Sequence, residues 1–108
     1  MQIPSISPTA VPADAYLLDV REDDEWSAGH APGAVHLPMM QIPARLEEIP
    51  REGEVVVVCR VGGRSSQVVA YLLNNGFTNV VNLDGGMQDW AASRREVVAA
   101  DGQPGRVI

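Results

Sequence analysis

Apolar positions along this chain come in short runs, and turn residues separate the runs. Val55 to Val58 is four β-branched residues in a row, a run and not an alternation, which predicts a strand covered on both faces like the middle of a parallel sheet. Other short runs predict strands at Ala15 to Val20, at Ala34 to Leu37 before Pro38, and at Val80 to Leu83. Between them the pattern changes from runs to stripes. Val68, Val69, Leu72 and Leu73 share one face of a helix predicted over 65–75, with Gly76 just past its last turn. Ile42, Leu46 and Ile49 fall at i, i+4 and i+7, which predicts a short helix over 41–49, with Pro43 near its start and Pro50 stopping it. Glu22 to Ala28 has an acid-rich first turn that complements a helix dipole, and Trp26 is its apolar anchor. After the turn Asp84-Gly85-Gly86, Met87, Trp90 and Ala91 share a face of a last helix.

Short strands alternating with short helices predict one α/β domain over 1–108 with a mainly parallel sheet. Residues 1–13 carry Pro4, Pro8 and Pro12, which suits a loose or edge-strand entry, and residues 101–108 are expected to form a frayed tail. Ligands of parallel sheets bind at the carboxyl ends of the strands. Three loops so placed, 19–24, 59–65 and 84–87, are the expected walls of one site.

Composition narrows the chemistry. The chain has 108 residues and a formal charge of −6, which weighs against general binding to nucleic acid or anionic membranes. No apolar run approaches the roughly 20 residues needed to span a bilayer, and the N-terminus lacks the basic and apolar regions of a signal peptide. A single cysteine allows no internal disulfide, so a free thiol in a reducing cytoplasm is expected. One cysteine with His30 and His36 offers too few ligands for a zinc site.

The charge map says more than the sum. Six acids and one arginine lie between Asp14 and Glu25, whereas Val55 to Leu83 has no acid and two arginines, Arg60 and Arg64. All eight basic residues are arginines, the side chain suited to forked hydrogen bonds with oxyanions. Cys59 therefore follows a buried strand, enters a loop with Gly62 and Gly63 between two arginines, and precedes a helix. A lone cysteine after such a strand is ordinarily a small core residue. Here a helix N-terminus and nearby cations would lower its pKa, and glycines at positive φ would turn successive N–H groups inward around an anion.

Residues 59–64, CRVGGR, match the Cys-Arg-x-Gly-x-Arg or Thr loop of the rhodanese family of sulfurtransferases, which this chain resembles over most of its length. LLDVRE at 17–22, GHAPGAVHLP at 29–38 and LDGGMQDW at 83–90 are similar to three further signatures of that family, in the same order; Ala31 stands where Ile is common. The resemblance implies a rhodanese-type fold, a central five-stranded, mainly parallel sheet with helices on both faces. It implies that Cys59 takes the outer sulfur of a donor such as thiosulfate or a persulfide and passes it to cyanide or a thiol, with no metal or organic cofactor. Arg60 and Arg64 would hold the anionic donor, the loop from Val61 through Gly62 and Gly63 to Ser65 would stabilise the persulfide, and Asp19 and Arg21 would support the fold.

Two rival readings stand beside it. Cysteine phosphatases use the same strand, loop and helix, but with Cys-x5-Arg, a wider ring than the Cys-x4-Arg that ends at Arg64. The other is a relay or regulatory module that exchanges a persulfide with a partner protein and turns over little free donor; the acidic stretch 14–25 is a candidate docking face. His30, in a turn, is expected to be a structural hydrogen bonder and His36 an exposed or half-buried strand residue, and Trp26, Trp90 and Met87 are expected to belong to the core.

Overall fold

The computed structural model describes residues 2–108. Its strands are β1 (Ser5–Ile6), β2 (Tyr16–Asp19), β3 (Val35–His36), β4 (Val55–Val58) and β5 (Val80–Leu83), in the sheet order β1-β5-β4-β2-β3. Every neighbouring pair is parallel, so the sheet is wholly and not just mainly parallel. The valine run is the central strand β4, and all four of its side chains are buried. Their sides alternate, as the pleat requires.

Val55 and Val57 join Leu18 and Val80 beneath α2 (Gly63–Asn74), which contributes Val68, Val69 and Leu72. Val56 and Val58 join Leu17 and Leu83 on the other face, against Met87 and Trp90 of α3 (Gly86–Ala92). Helices thus cover both faces. Burial of each valine contributes roughly 1.5–3 kcal/mol of transfer free energy, so packing on two sides anchors the end of β4 where Cys59 begins.

Two local details, in the segment 41–49 and at the end of the chain, depart from the sequence reading. The segment expected as a helix over 41–49 is a 3₁₀ stretch, Met39–Glu48, broken at Arg45 with φ −130°. Pro43 removes an N–H donor inside it, which disfavours a continuous α-helical ladder, while Ile42 still reaches the core. The entry is an edge strand, pinned where Asn82 N donates to the Pro4 carbonyl at 2.8 Å.

The end of the chain is not frayed. Val98 bridges His30 and Pro104 in antiparallel fashion, Gly105 N donates to Val97 O at 2.9 Å, and Arg106 N donates to Ala28 O at 3.0 Å. Glycine at 29 makes room for this return, since a Cβ there would lie 2.3 Å from the Arg106 carbonyl oxygen. Backbone pairing, which composition does not reveal, holds a segment rich in turn residues.

Candidate active site

Cys59 leaves the end of β4 and is 1% exposed. The chain then doubles back at Gly62, whose φ of 108° lies in the left-handed region that favours glycine. That turn points Gly62 N at the sulfur, 3.0 Å away, and starts α2 so that the Ser65 hydroxyl reaches Sγ at 3.2 Å. Burial pushes the thiol up. The Ser65 hydroxyl and the backbone N–H groups of Ser65, Gly62 and Val61 outweigh it, and the thiol lies below its ordinary range. Hydrogen bonds from Ser65, Gly62 and Val61 lead the lowering. Gly63 lies in the first turn of α2 without positive φ, so one glycine of the pair makes the turn.

The second wall comes from β5 and α3. Gly86 has φ 60°, and a Cβ there would lie 2.5 Å from the carbonyl oxygens of both Cys59 and Arg60. The close approach lets Met87 N donate to Cys59 O at 2.8 Å and Gln88 N to Arg60 O at 2.9 Å. The Asp84-Gly85-Gly86 turn therefore clamps the backbone of the sulfur loop. From β5, Asn82 donates through Nδ2 to the Gly62 carbonyl at 3.3 Å, and its Oδ1 accepts from Ser65 Oγ. Asn82 was not among the residues expected at the site, although a lone amide within the apolar run 80–83 is the signal that could have found it.

The third wall holds two ion pairs. Arg21 and Asp19, both buried, are joined from Nε to Oδ1 at 2.9 Å and from Nη2 to Oδ2 at 2.8 Å, and Arg21 Nη2 also donates to Gly29 O at 2.7 Å. Arg64 forks onto Glu25 of α1 (Asp23–Ala28), from Nη1 to Oε1 at 2.7 Å and from Nη2 to Oε2 at 2.8 Å. The Arg64 guanidinium beside it holds the Glu25 carboxyl at about 2. Glu25 also closes a capping box with Glu22, so the acidic first turn does cap its helix.

Arg60 is exposed and makes no side-chain hydrogen bond or ion pair among the described residues, and Val61 beside it is exposed too. His30 is a structural hydrogen bonder, as expected, with Nδ1 paired to Trp26 O, and His36, half-buried in β3 as expected, also pairs through Nε2 with Arg21 O, both at 2.8 Å. Both rings stack with Trp26, at centroid distances of 3.6 and 4.7 Å. No cluster of three or more His, Cys, Asp or Glu able to hold a metal occurs among the described residues, and no helix there is long and apolar enough to cross a membrane.

This loop, with its CRVGGR sequence and its clamp, lies within residues 8–93, which match the Rhodanese-like domain family. The chain belongs to that family. It is 44% identical over 89 residues to a sulfurtransferase of Allochromatium vinosum, covering 82% of this chain and 83% of that one. Among solved structures, the rhodanese-related protein of Thermoplasma volcanium superposes with a TM-score of 0.82 at 28% identity, over 88% of this chain and 97% of that one. A thiosulfate sulfurtransferase from Pseudomonas aeruginosa matches at 27% identity with a TM-score of 0.81; the match covers 98% of this chain but 22% of that longer one. The rhodanese-like fold expected from the motifs is the fold observed.

Proposed function

We propose that this rhodanese-like chain is a sulfurtransferase that carries sulfane sulfur on Cys59. The observation that carries the reading is the sulfur atom itself: buried, at the focus of N–H and O–H donors, with its thiol pKa lowered. Its thiolate attacks the outer sulfur of a small anionic donor such as thiosulfate, the donor's S–S bond breaks, and sulfite departs with the bonding pair. Cys59 is left as a persulfide. A thiol or cyanide acceptor then attacks the outer sulfur, and the thiolate is released for the next cycle. No cofactor enters this scheme.

Arg60, exposed and unpaired, is the first contact for the donor. Arg64 supplies a second, fixed cation at the mouth, and the N–H groups along Val61, Gly62, Gly63 and Ser65 hold the charge that forms on sulfur. The Cys-x4-Arg spacing from Cys59 to Arg64, tighter than the Cys-x5-Arg ring of cysteine phosphatases, weighs against a phosphatase. Asp19 and Arg21 support the wall behind the loop. A free thiol of this kind suits a reducing compartment such as the cytoplasm.

Intact-mass measurement tests the reading. Wild-type protein exposed to thiosulfate, then separately to a small-molecule persulfide, is expected to gain one sulfur atom that Cys59→Ser does not gain, and to lose it to cyanide or a thiol. No gain from either donor, together with hydrolysis of an aryl phosphate, would sink the proposal. Loading that discharges only to a protein thiol would instead place the chain in the relay reading.

A further inference from the structure

Ser65 has one hydroxyl proton and two acceptors within reach, Cys59 Sγ at 3.2 Å and Asn82 Oδ1. The amide cannot turn over to relieve this. Its Nδ2 faces the Gly62 carbonyl at 3.3 Å, and a carbonyl oxygen only accepts, so Oδ1 must face Ser65. Nor can the amide drift away. Asn82 is 8% exposed, its backbone N is bonded to Pro4 O, and β5 holds it in register with Val57 of the central strand.

We propose that Asn82 is a positioning residue for Cys59 that acts through Ser65, by competing with the sulfur for the single hydroxyl proton. In the thiol state, Ser65 donates to Asn82 and its oxygen is free to accept from the S–H. When the thiol proton leaves to solvent, the Ser65 hydroxyl swings onto the sulfur, and Asn82 Oδ1 loses its donor. Forming the thiolate therefore makes one hydrogen bond to sulfur at the expense of the bond from Ser65 to Asn82. Asn82 thereby restrains the thiolate. The inference rests on Cys59 being the reacting group.

Charged groups near this cluster come from other elements. Arg64, in the first turn of α2, feels the charge on Cys59, and Glu25 and Glu22 of the α1 end lie behind it. Arg60 is on the exposed loop, and Asp84 and Asp89 on the α3 side are exposed. No side-chain hydrogen bond joins any of them to Ser65 or Asn82.

The test is the pH dependence of Cys59 alkylation by iodoacetamide, which needs no sulfur donor and so stands apart from the intact-mass test of sulfur loading. Asn82→Ala removes the competing acceptor and is expected to lower the midpoint by roughly one pH unit, about a tenfold gain in thiolate at a fixed pH below it. Asn82→Asp strengthens the acceptor and adds negative charge, and is expected to raise the midpoint. In a Ser65→Ala background the Asn82→Ala shift should vanish, because the competing proton is gone. An unchanged or raised midpoint for Asn82→Ala, or a shift that persists without the Ser65 hydroxyl, overturns the proposal. Should the variants not fold, the wild-type side-chain amide resonances of Asn82 answer the question. They are expected to move with the Cys59 midpoint, and resonances that stay flat through it overturn the proposal.

Discussion

Two arginine–carboxylate forks stand in the wall of the sulfur loop, and their hydrogen-bond lengths are nearly the same. Arg21 meets Asp19 at 2.8 and 2.9 Å, and Arg64 meets Glu25 at 2.7 and 2.8 Å. Burial separates them: the Arg21 and Asp19 side chains are 0% and 1% exposed, those of Arg64 and Glu25 35% and 13%. The buried pair is local, two residues apart, and through Gly29 O it ties the end of β2 to the turn where the chain's end returns. The rim pair joins α1 to α2 across 39 residues. Equal geometry therefore serves different ends, one holding the scaffold and the other holding the mouth of the site. Solvent screening decides which is costly to break.

The comparison is broken most directly at Arg21. Arg21→Met leaves Asp19 as a buried carboxylate without its partner, and a loss of about 3–5 kcal/mol is expected in urea unfolding. Adding Asp19→Leu should restore much of it, because the second change removes the stranded charge. A single variant within about 1 kcal/mol of wild type would mean that the pair does not hold the scaffold.

Glu25→Gln should cost less, about 1–2 kcal/mol at neutral pH, because Arg64 is partly in water. Its sign with pH follows from the carboxyl being held at about 2 in the folded chain against about 4.3 when unfolded. A depressed folded value contributes stability that is fully present above about 4.3 and is lost as pH falls through about 2. The gap between wild type and Glu25→Gln should therefore close on acidification across that window. A gap that stays constant would assign the loss to the capping box, not to the charge.

What could be foreseen from the residues follows the range of the interactions. Val55 to Val58 announces a central strand because burial on both faces is written in four consecutive side chains, and the spacing from Cys59 to Arg64 announces the loop. Gly62 and Gly63 look interchangeable in sequence, and only the start of α2 decides that Gly62 takes the left-handed turn. The stripe Ile42, Leu46, Ile49 reports a buried face but does not choose between α and 3₁₀ once Pro43 intrudes. Partners far along the chain were out of reach. Glu25 reads as the last acid of the stretch 14–25, Asn82 as a residue of an apolar strand, and residues 101–108 as a loose end, because each acquires its role from a contact that only the fold creates.

A third arginine sharpens the contrast, since Arg60 is exposed and has no carboxylate partner among the described residues. Arg60→Ala should change stability by less than about 0.5 kcal/mol, the smallest effect of the three sites. Its cost should fall on the donor instead. The thiosulfate concentration for half-maximal loading of Cys59 is expected to rise roughly tenfold, the loss of one charge-assisted hydrogen bond, while alkylation by uncharged iodoacetamide stays near wild type. Added salt should narrow the difference between wild type and variant, because an exposed cation is screened. If loading and alkylation fall together, Arg60 acts on the thiol and not on the donor, and the free cation at the mouth has to be sought in Arg64 after it parts from Glu25.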